Sequence, residues 1–494
     1  MNSISASATQ SSPQGDGAKR QRTNSTAVAE EGNKLQWSKS LPDLPDPIIT
    51  NILSFHPNMT VNKVLSESLL HIYKETIVKR LHVRKEMVDD LKNSEIIRIF
   101  HKLNDESTQA ALTMGFSLKQ IATIPSDQLS EYKAQFDAYD IPVDIQNQID
   151  NLSETNGQLY LGSISLTTGQ LCKILKALTN DQRNALTYLN LCNNQFTALP
   201  DSFGRLTALT ELHLYNNQLT SLPDSFGNLR ALTVLGLHHN QLKELPDSFG
   251  NLSALAVLYL NDNQLTSLPD SFGNLSALTH LYLYKNQLKS LPDSFGNLSA
   301  LTHLYLYNNQ LKSLPDSFGD LSSLTKLDLK YNQLTSLPDS FGRLTALMHL
   351  YIADNQITSL PDSFGELSAL TVLHLYNNQL TSLPDSFGNL SALMGLNLDQ
   401  NQLTSLPDSF KNLSALTGLC LHQNQLTSLP DSFGNLSALT ELRLIGNQIT
   451  SLPDSFGNLS ALTKLYISKN QLTSLPDSFG DLSALRYLNL NENQ

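Results

Sequence analysis

The amino-acid sequence predicts an α/β solenoid, in which each repeat adds one strand to a parallel sheet, preceded by an all-α region. Between Leu186 and Gln494 the pattern L-x-x-L-x-L-x-x-N-Q-L recurs fourteen times at a constant spacing of 23 residues. Nearly every copy is followed by L-P-D-S-F-G-x-L. A fixed period of this length is typical of proteins that stack one supersecondary unit on the next.

The first 40 residues predict a disordered polar leader. Residues 1–34 are rich in Ser, Thr and Gln and lack the apolar stretch of a secretory signal. No later run of apolar residues is long enough to predict a membrane-spanning helix, and three widely separated cysteines fit a reducing compartment. We therefore expect a cytoplasmic protein with no membrane partner.

Residues 41–82 predict a helical segment with one apolar face. Asp46 is a suitable N-cap, Pro47 is a suitable first helical residue, and Ile48, Ile52 and Phe55 are spaced to share a face. This stripe indicates either a surface that binds a partner or the buried face of a helix within an ordinary helical domain.

The same segment resembles the opening of an F-box, in which L-P-x-E is followed by an Ile-Leu pair and a second proline, here Pro57. Pro47 stands where an acid is common, and the family's Trp is missing between Val61 and Leu81. The resemblance implies docking on a Skp-type adaptor of a cullin ubiquitin ligase. The residues that would make this contact are Leu44, Pro45, Ile48, Ile52, Leu53 and Phe55.

Residues 83–185 predict a helical linker that ends in a cap for the solenoid. Breaks are expected around Ile124-Pro125-Ser126-Asp127 and around Ile141-Pro142. A last helix, over roughly residues 168–178, directly precedes the first repeat. We expect this helix to cover the exposed edge of the solenoid core.

Each repeat of residues 186–494 predicts a strand whose side chains alternate between the core and an open, concave face. In the sixth repeat the inward residues are Leu301, Leu304, Leu306 and Leu311, and the outward residues are His303, Tyr305 and Tyr307. Asn309 and its equivalents are expected to form a ladder whose amides pair with backbone groups of the turn.

The motif Leu-Pro-Asp-Ser-Phe-Gly predicts a helical turn on the convex side, with Pro early and Asp near the positive start of the turn. The phenylalanines are expected to stack as a spine between this turn and the sheet. Lys411 replaces the glycine after Phe in one repeat. Either this position does not require a positive φ, which we favour, or the tenth repeat is strained there.

The outward positions carry many aromatic and imidazole side chains: 12 of 16 tyrosines and eight of 12 histidines are expected there. Tyrosine offers large rigid contact area with a polar tip, so this face predicts a protein-binding site. The binding residues predicted are Tyr259, His280, Tyr282, Tyr284, His303, Tyr305, Tyr307, Tyr331, His349, Tyr351, His374 and Tyr376. Recent duplication of repeats, and stacking that merely stabilises the sheet, are the alternatives. We expect binding to change between about pH 6 and 7.5 because histidines titrate there.

Other classes of function are disfavoured. Of 24 acidic residues from Leu186 onward, 13 belong to L-P-D-S, which leaves 11 acids against 14 bases and no basic stripe for nucleic acid. There is no phosphate-binding loop or nucleophile elbow. Cys420 and His422 lack a third catalytic group, and Lys326 follows His280 and His303 where a metal would need a ligand. We expect no enzymatic activity, no cofactor and no metal.

The 23-residue unit resembles the leucine-rich repeats of Ras-pathway scaffolds, plant intracellular proteins and bacterial effectors. This resemblance implies a horseshoe of 14 repeats that binds proteins. An F-box-like segment before the repeats is similar to one class of F-box proteins, and near-identical repeats resemble host-directed effectors of intracellular bacteria. Together these resemblances imply an adaptor in the host cytosol that delivers a bound protein to a ubiquitin ligase. A non-ligase signalling scaffold and a small-GTPase regulator are the alternatives.

Overall fold

The computed structural model describes the backbone of residues 59–494 and the side chains from Leu70 onward. The chain divides into two units, residues 1–72 and 73–494. Of the first unit, only the start of helix α1 (Met59–Leu81) is described. The predicted leader and the F-box-like residues Leu44 to Phe55 lie outside the described residues. The boundaries predicted for these segments stay predictions.

Eight further helices precede or flank the first repeats in the described residues. They are α2 (Lys85–Asp89), α3 (Asn93–Lys102), α4 (Glu106–Thr113), α5 (Leu118–Thr123), α6 (Ser126–Ala138), α7 (Val143–Asp150), α8 (Thr168–Ala177) and α9 (Asn180–Ala185). The expected breaks are confirmed, because α6 begins directly after Pro125 and α7 directly after Pro142. At these positions the missing N–H of proline leaves no helical hydrogen bond unmade.

Fifteen parallel strands form one sheet in chain order. They are β1 (Gln158–Tyr160), β2 (Tyr188–Asn190), β3 (Glu211–His213), β4 (Val234–Gly236), β5 (Val257–Tyr259), β6 (His280–Tyr282), β7 (His303–Tyr305), β8 (Lys326–Asp328), β9 (His349–Tyr351), β10 (Val372–His374), β11 (Gly395–Asn397), β12 (Gly418–Cys420), β13 (Glu441–Arg443), β14 (Lys464–Tyr466) and β15 (Tyr487–Asn489). The α/β solenoid predicted from the repeats is confirmed.

Strand β1 is one short strand within the mainly helical region that precedes the repeats. It pairs with β2 in the register of the later repeats, so that Leu159 lies beside Leu189. These two leucines are 30 residues apart, and the insertion of α8 and α9 between their strands breaks the 23-residue period. The sheet therefore starts one strand before the repeats that the sequence pattern reveals.

The core is a continuous stack of buried leucines backed by a column of phenylalanine rings. Leu301, Leu304 and Leu306 are fully buried. Successive Phe rings from Phe203 to Phe479 lie nearly parallel, with centroids 6.1 to 6.4 Å apart. Helix α8 contributes buried side chains to the same core. Its expected role as a cap over the exposed edge stays a prediction.

The predicted asparagine ladder is confirmed. The Asn309 amide nitrogen donates to the carbonyl oxygens of Leu283 and Leu306 at 3.0 and 2.9 Å, and its oxygen accepts from the Leu288 N–H at 3.0 Å. One buried side chain thus satisfies backbone groups of its own repeat and of the preceding one. Equivalent bonds recur along the solenoid, which makes the ladder a link between neighbouring repeats.

Thirteen L-P-D-S-F motifs each form a 3-10 turn on the side opposite the open sheet face. The turns are Asp201–Arg205, Asp224–Asn228, Asp247–Asn251, Asp270–Asn274, Asp293–Asn297, Asp316–Asp320, Asp339–Arg343, Asp362–Glu366, Asp385–Asn389, Asp408–Asn412, Asp431–Asn435, Asp454–Asn458 and Asp477–Asp481. Each follows a proline in extended conformation, whose carbonyl oxygen accepts from the Phe N–H, as in Pro200 and Phe203 at 2.9 Å.

The glycine of these turns is required by close approach rather than by φ. Neither Lys411 nor the equivalent Gly388 has a positive φ, so the interpretation that we favoured is confirmed. A Cβ added at Gly388 would nevertheless lie 2.2 Å from the carbonyl oxygen of Ser409 in the next repeat. Lys411 therefore occupies a position where neighbouring turns normally come too close for a side chain.

Helices α5 and α6 pack on the first repeat through polar contacts. The Gln120 side chain donates to the Leu199 carbonyl oxygen at 2.7 Å and accepts from the Asp201 N–H at 2.9 Å. The Tyr132 hydroxyl lies 2.5 Å from that of Thr197. The two Gln120 bonds satisfy backbone groups of the first repeat, a role that the sequence did not indicate. Within residues 59–494, no helix has the length and apolar character needed to cross a bilayer.

Candidate protein-binding site on the open sheet face

The open sheet face consists of side chains that point away from the leucine core. Three columns run across the strands: the first strand residue, the third strand residue, and the residue two positions further on. In the sixth repeat, for example, His303 lies in the first column, Tyr305 in the second and Tyr307 in the third, and all three side chains are half-buried. The three-residue strands and the alternation of strand side chains produce this arrangement.

Eleven of the twelve predicted residues lie in these columns. The first column contains His280, His303 and His349, the second contains Tyr259, Tyr282, Tyr305, Tyr351 and His374, and the third contains Tyr284, Tyr307 and Tyr376. Whether they bind a partner stays a prediction, but the structure establishes that they share one face.

Tyr331 is the exception and corrects the sequence assignment. It has a φ of 55° and is 50% exposed, and it occupies the turn position directly before the ladder residue Asn332. His239, expected on the strand face, has the same turn position with a φ of 54°. These two side chains border the open face rather than line it. The turn position of these two residues could have been predicted from the sequence, since both directly precede an asparagine of the ladder.

The tyrosines of β5 to β7 form two stacks. In the second column, the ring centroids of Tyr259 and Tyr282 are 4.6 Å apart and those of Tyr282 and Tyr305 are 4.9 Å apart. In the third column, Tyr284 and Tyr307 are separated by 4.4 Å. These distances equal the strand separation, so the sheet itself fixes the rings side by side. Their nearly parallel planes make a continuous aromatic surface across three strands.

Aromatic contacts also continue toward the start of the sheet. Tyr259 touches His238 with centroids 5.7 Å apart, and His238 stacks on Tyr215 at 4.5 Å. The chain of rings then passes through His213 to residues 188 and 160. Sequence reasoning placed the densest part of the site later and missed Tyr160 altogether, because its strand β1 was not predicted.

The second column is interrupted at β8, where Asp328 lies between Tyr305 and Tyr351. Asp328 is only 7% exposed, and its carboxylate lies 3.3 Å from the Lys330 ammonium. Burial raises the pKa of Asp328, an effect that Lys330 opposes. The predicted residues therefore form two groups: one on β5 to β7, which contains the stacked tyrosines, and a smaller one on β9 and β10. The charged side chains of Asp328 and Lys330 lie between the two groups.

Lysine side chains lie over tyrosine rings at this interruption. The Lys326 ammonium is 5.4 Å from the Tyr305 ring centroid and 5.9 Å from that of Tyr351, and the Lys330 ammonium is 5.3 Å from Tyr351. Cation–π attraction of about 0.5–1 kcal/mol per pair at exposed sites helps to hold these ammonium groups at the face. The two aromatic groups are thus bridged by cations.

Several histidines of the face have a lowered pKa. Burial, followed by the nearby His280, Lys326 and His349, lowers the pKa of His303. Burial is also the first cause of the lowered pKa of His374 and His422, and it lowers the pKa of His238 to about 4. These four histidines gain their charge at more acidic pH than an ordinary imidazole. The pH dependence expected for binding stays a prediction.

The pair Cys420 and His422 lacks the geometry of a nucleophile and its base. Burial, and then Asp399, raises the pKa of the Cys420 thiol to about 11. The His422 Nδ1 accepts from the Ile445 N–H at 3.2 Å, and Asp399 accepts from the backbone N–H of His422 at 2.6 Å instead of orienting the ring. Among residues 70–494, no three His, Cys, Asp or Glu side chains are grouped so as to hold a metal ion.

Comparisons with known proteins agree with this architecture. A family model described as a leucine-rich repeat region matches residues 227–310, 296–378 and 352–443. A second, described as leucine rich repeat, matches residues 184–242 and 446–494. Together they account for nearly all of the 23-residue repeats. No match was found among curated protein sequences.

Solved structures give three informative similarities. A leucine-rich-repeat protein from Leptospira interrogans is 34% identical, with a TM-score of 0.61 over 74% of this chain and 92% of that chain. A chain of the PEPR1–AtPEP1 complex is 34% identical, with a TM-score of 0.57 over 64% of this chain and 47% of that one. A chain of the Drosophila Toll–Spatzle complex is 26% identical, with a TM-score of 0.57 over 66% and 49%. This chain therefore spans about half the length of the latter two.

Proposed function

Since the chain belongs to the leucine-rich-repeat family, we propose that it is a non-enzymatic binding protein that holds a protein partner on its open sheet face. The leucine-rich-repeat fold is typical of protein–protein interaction domains. The observation that carries the proposal is the tyrosine ladder of β5 to β7, with ring centroids 4.4 to 4.9 Å apart.

The ladder has the properties of an interface centre. Tyr282, Tyr284 and Tyr307 are half-buried, and burial raises the pKa of each phenol. Fixed, partly desolvated rings lose little side-chain entropy when a partner covers them, and tyrosine is enriched among residues that dominate binding energy. Two solved structures similar to this chain are complexes, PEPR1–AtPEP1 and Toll–Spatzle, which is consistent with ligand binding by the repeats.

The test compares the full chain with a Tyr282→Ala/Tyr305→Ala variant in cross-linking pull-downs from eukaryotic lysate. Tyr466→Ala is the matched control, because Tyr466 lies in the same column on β14 and contacts Tyr487 rather than the ladder. We expect the wild type and the control to retain the same protein and the double variant to lose it, at a cost of about 2 kcal/mol or more per ring. Equal retention by all three would contradict the proposal.

We further propose that the F-box-like segment recruits a Skp-type adaptor, so that the repeats act as substrate receptor of a cullin ubiquitin ligase in the cytosol of a host cell. Support comes from the sequence match at Leu44, Pro45, Ile52 and Leu53 and from the order of the two parts. Purified adaptor should bind the wild type and Tyr282→Ala/Tyr305→Ala equally, but not Leu44→Ala/Ile52→Ala. Absence of adaptor binding to the wild type would favour a non-ligase scaffold or a small-GTPase regulator.

A further inference from the structure

The first column of the open sheet face carries a run of basic side chains on four adjacent strands. His280, His303, Lys326 and His349 follow one another in register on β6 to β9. The imidazole rings of His280 and His303 stack with centroids 4.5 Å apart. No acidic residue occurs in this column from Val234 on β4 to Gly418 on β12. An anion approaching this column therefore meets no carboxylate within it.

Three carboxylates on and beside these strands contact other groups. Asp328 pairs with Lys330 at 3.3 Å and also accepts from the Lys330 N–H at 3.1 Å. On the turn after β5, Asp262 lies 3.3 Å from the Lys285 ammonium. On the turn after β9, one oxygen of Asp354 accepts from the Asn377 amide at 2.6 Å, and the other is buried without a hydrogen bond.

Lys326 retains a surplus charge. In the part of the chain that the structure describes, no carboxylate lies within 4.0 Å of its ammonium group. Its side chain is held between the rings of Tyr305 and Tyr351 on the neighbouring strands. With Asp328 neutralised by Lys330, the centre of the face has one uncompensated cation between His303 and His349.

We propose that this run is a subsite for an acidic group of an extended peptide, with a ligand carboxylate on Lys326 between His303 and His349. The first and second columns are two residues apart along each strand, roughly 7 Å. Alternate side chains of an extended ligand have the same spacing, so a ligand with its acid on Lys326 places the side chain two residues away at the second column. There an apolar side chain can contact the Tyr305 and Tyr351 rings on either side of Asp328. This inference rests on the proposed function and adds the chemical class of its ligand.

The test is a random-peptide display selection on the full chain, followed by binding of the best synthetic peptide to variants. Lys326→Gln removes the cation, and Lys464→Gln is the matched control, because Lys464 lies in the same column but is 3.3 Å from Glu441. We expect selected peptides to share an Asp or Glu two residues away from an apolar residue. Lys326→Gln should then weaken binding about tenfold or more, with little effect from Lys464→Gln.

A peptide in which this Asp or Glu is replaced by Asn or Gln completes a double-mutant cycle. Lys326→Gln should not weaken the binding of this altered peptide any further. Selected peptides without a shared acid, or equal effects of the two lysine variants, would overturn the acidic subsite and leave the binding face intact. A selection that enriches no peptide, or peptides indifferent to Tyr282→Ala/Tyr305→Ala, would overturn the proposed function and the subsite with it.

Discussion

The ring centroids of Phe410 and Phe433 lie 6.4 Å apart, which is the widest spacing in the phenylalanine column. The Ser432 hydroxyl between the same two turns lies 3.5 Å from the carbonyl oxygen of Asp408. The equivalent serine bond is 2.5 to 2.6 Å in six other turns and is not formed in the five turns of Ser248, Ser271, Ser340, Ser386 and Ser409. Lys411 replaces the glycine whose added Cβ would meet the serine carbonyl oxygen of the next turn. The turn that contains Lys411 and the next turn in the stack are therefore further apart than other neighbouring turns.

Substitution at this position should change stability in opposite directions in two repeats. We expect Gly388→Ala to lower the free energy of unfolding by about 1–3 kcal/mol, because its Cβ would lie 2.2 Å from the Ser409 carbonyl oxygen. Lys411→Gly should raise stability by less than that, since closer packing is partly offset by the entropy of glycine, about 0.5–1 kcal/mol.

Urea unfolding followed by far-UV circular dichroism would measure both changes, and amide exchange would localise them to the turns. Exchange in residues 431–435 should slow in Lys411→Gly and be unaffected by Gly388→Ala. Unchanged stability in Gly388→Ala would show that the turns can separate without cost and that the recurrent glycine has another cause.

The asparagine ladder predicts a second contrast, between adjacent residues. Asn309→Ala removes three buried hydrogen bonds and leaves the Leu288 N–H without a partner. The carbonyl oxygens of Leu283 and Leu306 each keep one bond, from the Asn286 and Asn332 amides. We expect a loss of about 1–3 kcal/mol. Asn308 is exposed with a φ of 56°, and Gly446 fills the same position in another repeat. Asn308→Gly should therefore change stability by about 0.5 kcal/mol or less.

Thermal unfolding of the two variants beside the wild type checks this contrast. Similar melting temperatures for Asn309→Ala and Asn308→Gly would mean that water replaces the amide without cost. The ladder would then not link the repeats energetically.

The repeats show why most of the fold could be predicted and part of the site could not. Alternating leucines such as Leu304 and Leu306 specify the core side of every strand, so the sheet followed from periodicity alone. Strand β1 was missed because an insertion breaks that period. The sequence suggested correctly that the turn glycine is not needed for a positive φ. The reason for the glycine is the close approach of the next turn, 21 residues further along the chain, and this is visible only in three dimensions.

Within the site, the columns were predictable and their contacts were not. Strand alternation places Tyr282 and Tyr305 side by side, and the repeat length gives their register. Which lysine neutralises Asp328 depends on side-chain conformations, and neither Lys326 nor Lys330 is favoured by spacing. Burial is likewise the first cause of the lowered pKa of His238, His303, His374 and His422, and the depth of a side chain cannot be read from the repeat pattern.

His238 should make the stability of the fold depend on pH. Burial, and then His239, lowers its pKa from 6.5 to about 4, while Asp262 opposes and His213 reinforces the shift. The unfolded chain therefore binds the proton more readily than the folded chain. Stability is fully present above pH 6.5 and is lost as the pH falls toward about 4.

Replacing His238 with phenylalanine removes this titration but preserves a ring that can stack on Tyr215. The wild type should lose stability relative to His238→Phe between pH 6.5 and about 4. Urea midpoints measured at intervals over this range give the difference between the two proteins, in which the contributions of other groups cancel. Parallel midpoints would show that His238 titrates alike in the folded and unfolded chains.

The Cys420 thiol should be poorly reactive, as expected for a binding face rather than a catalytic site. Burial and the neighbouring Asp399 raise its pKa to about 11. At pH 8 the thiolate fraction is then on the order of 100-fold smaller than that of a free cysteine. Iodoacetamide labelling followed by mass spectrometry should be slower by a similar factor in the native chain than in urea. Asp399→Asn should speed it modestly, because burial, the larger cause, remains. Rapid native labelling near neutral pH would instead indicate that His422 activates the thiol.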